Sequence, residues 1–305
     1  MFFQNPTTAV NTIARSLELS PGDEVLSTDH IYGALDRTWK YLCSKNQSKF
    51  IKAKIPLPIK SKETFLDIFF SYISPRTKVI FISHITSMTA MIFPVKEIIN
   101  YAKKNSIITI IDGAHVPGHI PLDILDLDPD YYTGACHKWM CTPKGVSFLY
   151  VKKEHQEKVH PLIISWGWES DLPGKSKFLD WHQWQGTRDM TAFLTVPTAI
   201  QFLNQYNFSE ISKKCRKMVI DFRKEFINLL DINYPCPDSF IAQMASIPIG
   251  VLDPVLIKDI LINKYKIQVP VFNWEGQTLL RYSIQGYNSK YDLEKLLNAT
   301  KEILK

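Results

Sequence analysis

Tyr131-Tyr-Thr-Gly-Ala-Cys-His-Lys-Trp-Met-Cys-Thr-Pro-Lys-Gly-Val-Ser-Phe-Leu-Tyr150 decides how this chain is read. An apolar lead-in reaches His137 and Lys138, a Pro-Lys-Gly bend follows, and a β-rich run ends at Tyr150. A lysine on a tight bend between two strands is held still with its stem desolvated. It gives up its proton more readily than a surface lysine and can attack a carbonyl carbon. Upstream, Ile107-Ile-Thr-Ile-Ile-Asp112-Gly-Ala-His115 is an apolar strand that delivers a carboxylate at its C-terminal end, where ligands of open α/β sheets sit. Each signal has a plain alternative: a snorkelling lysine, and an Asp that only shapes a turn. Their order and spacing argue for a joint role.

Outward from this pair, strands alternate with helices. Asn5 to Leu17 reads as a turn and an amphipathic helix, with Pro6 at the turn or first helical position and Thr7 or Thr8 as the cap. A helix opening with N–H groups and hydroxyls is also an anion site. A short strand then leads to Asp29-His30-Ile-Tyr32-Gly-Ala34, a strand-to-helix junction where a ring can lie over a flat ligand or simply pack. Residues 48–55 form a strand, Lys62 to Ile73 a helix, Thr77 to His84 a buried strand, and Val95 to Lys104 a helix. That alternation predicts an α/β fold with a mostly parallel sheet covered by helices. No Gly-x-Gly-x-x-Gly opens a helix, which argues against a dinucleotide-binding unit.

After Tyr150 the pattern changes. Ile163 to Asp189 is irregular and rich in Gly and Trp, the kind of long loop that carries function or an interface. Asp189 is expected to cap a helix to Tyr206, and Ser209 to Leu230 reads as a second helix. Strands over Ala245–Val251 and Leu279–Ile284, with helices at 254–264 and 289–304, make a small C-terminal α/β domain. The expected division is a large domain over 1–205 and a small one over 206–305. Arg281 falls inside a strand between Leu280 and Tyr282, which calls for a partner: a substrate carboxylate or a structural salt bridge.

Bulk properties narrow the classes. A hydrophobic share of 45% and a charged share of 22% describe an ordinary globular chain. The +6 charge is spread along the chain, so solvated faces are expected and nucleic acid is not a predicted partner. No apolar run approaches the ~20 residues that span a bilayer, so no membrane association is expected. The opening Met-Phe-Phe-Gln-Asn-Pro does not read as a signal peptide. Cys43, Cys136, Cys141, Cys215 and Cys236 form no Cys-x-x-Cys pair, so no metal site is expected and a reducing cytoplasm is.

Eight segments in order carry a family likeness: Asn5-Pro-Thr-Thr-Ala-Val-Asn11, His30-Ile-Tyr-Gly-Ala34, Ser83-His-Ile-Thr-Ser87, Ile111-Asp-Gly-Ala-His-Val-Pro-Gly118, Cys136-His-Lys-Trp-Met-Cys-Thr-Pro-Lys-Gly145, Ser165-Trp-Gly-Trp168, Gly186-Thr-Arg-Asp189 and Leu280-Arg-Tyr-Ser283. Nearly the whole chain resembles the class V, aminotransferase-like branch of fold-type I enzymes that use pyridoxal 5′-phosphate (PLP). Within it the chain is most similar to isopenicillin N epimerase-like proteins and related cysteine and cysteine-sulfoxide lyases. An imine-forming lysine and a strand-end carboxylate are what that cofactor requires. The resemblance implies that Lys138 carries the cofactor, Asp112 pairs with its pyridinium nitrogen and His115 with its phenolate. It places the phosphate on Thr7, Thr8 and His137, and, across a homodimer with a shared active site, on Thr187. Tyr32 would stack on the ring, with His30 as the alternative. Arg281 would clamp the substrate carboxylate, with His30 and Ser87 in the substrate pocket.

Two departures are apparent. Position 135 is Ala where relatives carry a polar phosphate anchor. Relatives also carry a leading segment before the phosphate turn, so a gating element and part of the dimer contact are expected to be missing. The activity implied is chemistry at Cα of an amino acid, epimerase-like. A β-lyase of cysteine or a cysteine sulfoxide is the alternative, followed by cysteine desulfurase or aminotransferase. The non-enzyme alternative is a truncated PLP-fold dimer acting as a scaffold.

Overall fold

A computed structural model describes all 305 residues. In chain order the elements are β1 (Phe2–Phe3), α1 (Pro6–Ser16), β2 (Glu24–Thr28), α2 (Gly33–Lys45), β3 (Lys49–Ala53), α3 (Lys62–Phe70), β4 (Thr77–Ser83), α4 (Val95–Lys104), β5 (Ile108–Gly113), α5 (Ile124–Leu127), β6 (Tyr131–Ala135), β7 (Ser147–Val151), α6 (Lys177–Gln183), α7 (Thr191–Leu194), α8 (Val196–Gln205), α9 (Phe208–Leu230), β8 (Met244–Pro248), α10 (Pro254–Asn263), β9 (Val271–Trp274), β10 (Gln277–Ser283) and α11 (Lys290–Ile303). Two compact units result. The first holds Met1–Ile55, Leu66–Ile85 and Pro94–Tyr206; the second holds Pro56–Phe65, Thr86–Phe93 and Asn207–Lys305. The two short upstream segments of the second unit carry no change of composition that a reading of the sequence could seize on.

The first unit is built on a seven-stranded sheet of order β1-β7-β6-β5-β4-β2-β3. From β3 to β6 neighbours run parallel, and β7 and β1 add antiparallel pairings at one edge. Every residue of β4 except Lys78 is buried, as expected of a parallel strand covered on both faces. Parallel register puts Ser83, Asp112 and Thr133 side by side at the C-terminal ends of β4, β5 and β6.

Helix α1 packs on β6 and β7. Its cap is Asn5, whose Oδ1 accepts from the backbone N–H of Thr8 at 2.8 Å, not Thr7 or Thr8 as expected. The reason is Pro6, which occupies the first helical turn, so the cap falls on the residue directly before it. Val10 and Ile13 are fully buried on the inner face, and each contributes about 1.5–3 kcal/mol. The single helix expected from Asp189 to Tyr206 is two. Asp189 Oδ1 does accept from Thr191 N at 2.8 Å, but α7 ends after one turn and α8 restarts at Val196. Pro197 supplies no N–H and crowds the preceding turn, so the helix restarts with proline in its first turn, where the missing donor costs nothing.

The second unit carries the sheet β8-β10-β9, antiparallel throughout. Strand β9 was not expected from sequence. It forms a hairpin with β10 through Glu275 and Gly276, both at positive φ (46° and 78°), the geometry of a tight two-residue turn. The Tyr282 hydroxyl donates to Val219 O at 2.9 Å and ties β10 to α9.

Candidate active site

Lys138 lies in the turn that follows β6, beyond the C-terminal end of the parallel strands, and His115 lies in the turn after β5. Because β5 and β6 are neighbours, the two turns meet. Lys138 Nζ is 3.2 Å from His115 Nε2, and the Trp139 indole Nε1–H reaches His115 Nδ1 at 3.3 Å. An indole N–H only donates, so Nδ1 accepts, and the one proton of a neutral imidazole sits on Nε2, the side that faces Lys138. The contact holds the Lys138 amine against the imidazole beyond the ends of the strands.

His115 is itself buttressed. His119 Nδ1 donates to the His115 carbonyl at 2.9 Å, and the His119 ring stacks on Trp139 with centroids 3.8 Å apart. Burial pulls His119 down to about 4, so its ring stays neutral and keeps the stack uncharged. Gly118, at φ +78°, lets this loop lie on the backbone of Trp139. A Cβ there would sit 2.7 Å from the Trp139 carbonyl carbon and oxygen.

Asp112 is almost fully buried at the end of β5, and its Oδ1 accepts from Ala114 N at 3.0 Å. Burial raises its pKa; the Lys138 charge and the Ala114 bond oppose that more weakly. Next to it, Tyr132 OH and His84 Nδ1 are 3.0 Å apart. Burial, reinforced by the Asp112 charge, holds the Tyr132 hydroxyl well above its usual range. Burial also holds His84 down to about 4, so its ring stays neutral beside the phenol.

The other predicted residues fall as follows. His137 Nδ1 donates to Val146 O at 2.8 Å, and burial, the leading influence, lowers its pKa. Its neutral ring thus turns an acceptor, Nε2, outward, and donates to a phosphate only once protonated. Thr8 gives both its N–H and its hydroxyl to Asn5 Oδ1, and Thr7, with Thr8, Asn11 and Arg15, lines an open cleft of about 650 Å³ along α1. Tyr32 is exposed at the start of α2. His30 is fully enclosed, its Nε2 2.8 Å from Ile55 O, so it has no surface to offer a ring or a substrate. Ala135 is buried and apolar, with no group for a phosphate. Thr187 is exposed beside Gly186.

In the second unit, Arg281 donates to the carbonyl and hydroxyl oxygens of Ser87 and lies 5.4 Å from the Phe272 ring centroid. Its Nε is buried without a hydrogen-bond partner, and burial lowers its pKa to about 10. A desulfurase needs an accessible thiol, and two cysteines of the second unit are enclosed. Cys236 is 2% exposed with its thiol pushed up to about 11 by burial, and Cys215 is 4% exposed in α9. Trp139, His119 and Tyr132 were not picked out from sequence. Trp139 follows Lys138 directly and His119 lies four residues past His115, but an aromatic at such a position is ordinarily core.

The sequence profile of the aminotransferase class-V family matches residues 1–296. Isopenicillin N epimerase of Amycolatopsis lactamdurans is 29% identical over 321 residues, covering 100% of this chain and 80% of that one. A probable chloroplastic L-cysteine desulfhydrase of Arabidopsis thaliana is 24% identical, covering 91% of this chain and 63% of the relative. Among solved structures, the apo cysteine desulfurase of Thermococcus onnurineus NA1 superposes with a TM-score of 0.84 at 18% identity, over 100% of this chain and 78% of that one.

Proposed function

The chain belongs to the aminotransferase class-V family, a family of PLP-dependent enzymes, and from that premise we propose that it acts at Cα of an amino acid, in the manner of an isopenicillin N epimerase. The observation that carries this reading is the contact between Lys138 Nζ and the protonated Nε2 of His115, beside the buried Asp112. The donor set fits the cofactor: an amine to bind its aldehyde and an enclosed carboxyl to face its ring nitrogen. Lys138 would hold it, with Asp112 at the pyridine nitrogen, His115 at the phenolic oxygen, Tyr32 over the ring, Thr7 at the phosphate and His137 there once protonated.

Bound there, the cofactor supplies an electron-withdrawing ring that stabilises negative charge at Cα. Asp112 would face the ring nitrogen and hold its proton in place, the condition for that withdrawal. Lys138 would be the base for the Cα proton, general-base work that contributes about 10²–10⁴-fold. His115 orients the amine and Trp139 fixes the His115 tautomer. Arg281 is proposed for the substrate carboxylate, supported by its buried Nε, which has a donor to spare. Returning a proton to the opposite face gives epimerisation; expelling a group from Cβ gives a lyase.

The lyase reading is supported by the desulfhydrase match over 91% of the chain. A homodimer is part of the proposal, supported by the exposed side chains Ile163, Ile164, Trp166 and Trp184 in the segment that contains Thr187. So is a cytoplasmic location, supported by five cysteines that all remain thiols. No helix is long and apolar enough to cross a membrane. The test is incubation of the PLP-loaded protein with L-amino acids, cysteine and its sulfoxides in deuterated water. Cα exchange with loss of optical rotation supports the epimerase, and pyruvate with ammonia supports the lyase. With neither, and no yellow colour on adding PLP, the proposal fails.

A further inference from the structure

We propose that Asp130, Glu154 and His155 form a divalent transition-metal site, of the kind zinc occupies, at the end of the sheet opposite Lys138. Asp130 directly precedes the first residue of β6, whereas Lys138 follows its last, and Glu154 and His155 lie in the 3₁₀ helix Lys153–Lys158 after β7. One ligand atom from each of the three residues lies within 4.8 Å of the others. His155 Nε2 is 2.9 Å from Asp130 Oδ1 and 3.7 Å from Glu154 Oε1. Nitrogen and oxygen ligands about 2.0–2.2 Å from a tetrahedral ion stand roughly 3.3–3.6 Å apart, so small side-chain movements admit one.

The supports of the ligands point the same way. Asp130 Oδ2 accepts from both the N–H and the hydroxyl of Thr109, at 2.8 and 2.9 Å, and Asp130 N donates back to the Thr109 hydroxyl at 3.0 Å. That carboxylate cannot rotate, and its Oδ1 is left facing His155. The His155 ring lies on the face of Tyr131 with centroids 5.4 Å apart, which fixes its plane. Backing of this kind is what orients metal ligands. On binding, the His155 N–H proton moves from Nε2 to Nδ1, and Nε2 gives its lone pair to the ion. The Asp130 and Glu154 side chains are 13% and 63% exposed, so solvent reaches the remaining coordination position. Lys152 competes for Glu154 at 3.6 Å, but it also has Asp128 at 3.4 Å and can stay there. The ion would tie the start of β6 to the segment leaving β7, and so clamp the open end of the hairpin whose closed end bears Lys138.

The experiment is calorimetric titration of Zn²⁺ into the EDTA-treated, PLP-loaded protein. The expected result is one equivalent bound in the wild type and that phase lost in His155→Ala. Glu154→Gln, a change on an exposed side chain that leaves the fold alone, should weaken it at least tenfold. Lys152→Met should tighten it, because Glu154 then has no competing cation. Absence of the one-equivalent phase in the wild type, or the same isotherm in His155→Ala and Glu154→Gln as in the wild type, overturns the site.

Discussion

Gly118→Ala tests whether the loop after β5 holds the Lys138 turn by direct backbone contact. Gly118 has φ +78° and Gly145, in the same hairpin as Lys138, has φ +93°; alanine costs about 1–2 kcal/mol in such a conformation. At both sites the stiffer unfolded chain returns about 0.4–1 kcal/mol. The sites differ in what the new methyl meets. At 145 nothing lies within 4 Å, whereas at 118 it would sit 2.7–2.8 Å from Trp139 C and O and Met140 N. Those are backbone atoms and cannot rotate away, so overpacking adds about 1–3 kcal/mol at 118 alone. At about 2–4 °C per kcal/mol, Gly118→Ala should melt about 2–12 °C below Gly145→Ala. Relief of the clash shifts the Trp139 backbone, so Lys138 should also be misplaced. Borohydride reduction of the PLP-loaded proteins, followed by peptide mass analysis, reads how much cofactor is fixed on Lys138. Gly145→Ala should label as the wild type does and Gly118→Ala should fall short. If the two variants melt together and label alike, the loop does not hold the turn in the way described.

Three other outcomes can be checked. His84, His119 and His182 are each pulled from 6.5 to about 4 by burial, so the stability they contribute is full above 6.5 and is lost as pH falls towards 4. Each adds a slope of up to about 1.4 kcal/mol per pH unit, and urea midpoints that stay flat across that window would contradict their neutral burial. Asp112 has a raised pKa, so its ionisation works against the fold as pH rises above the usual carboxylate value of 3.8. Before PLP is added, Asp112→Asn should be more stable than the wild type at pH 7, with the gap closing towards pH 4, yet turn over far more slowly once loaded; a less stable variant at pH 7 refutes the sign. Cys236→Ser should cost stability but leave kcat unchanged, because its thiol is enclosed against Arg223. A kcat loss with the fold intact would revive the desulfurase reading.

Much of the first unit was legible because parallel strands buried on both faces read as unbroken apolar runs, as Thr77–Ser83 does with only Lys78 exposed. Lys138 and Asp112 stood out because each is a charge in an apolar setting. What stayed hidden depends on pairing across the chain. Phe2 and Phe3 are too short a run to read as a strand and become one only against Phe148 and Ser147. Strand β9 depends on a Glu-Gly turn whose positive φ values are not announced by its glutamate. The His115 tautomer is set by Trp139, twenty-four residues on, and no local pattern records that a ring will donate to another ring.

The indole beside Lys138 has one more property. Trp139 is 7% exposed, donates to His115, and lies against His119. Indole emission overlaps the near-ultraviolet and violet absorption of a bound pyridoxal chromophore, so energy transfer should dim this tryptophan when the cofactor docks and restore it on release. The fold thus carries an intrinsic fluorescent gauge of loading, and Trp139→Phe would remove the share that this one of the seven tryptophans contributes.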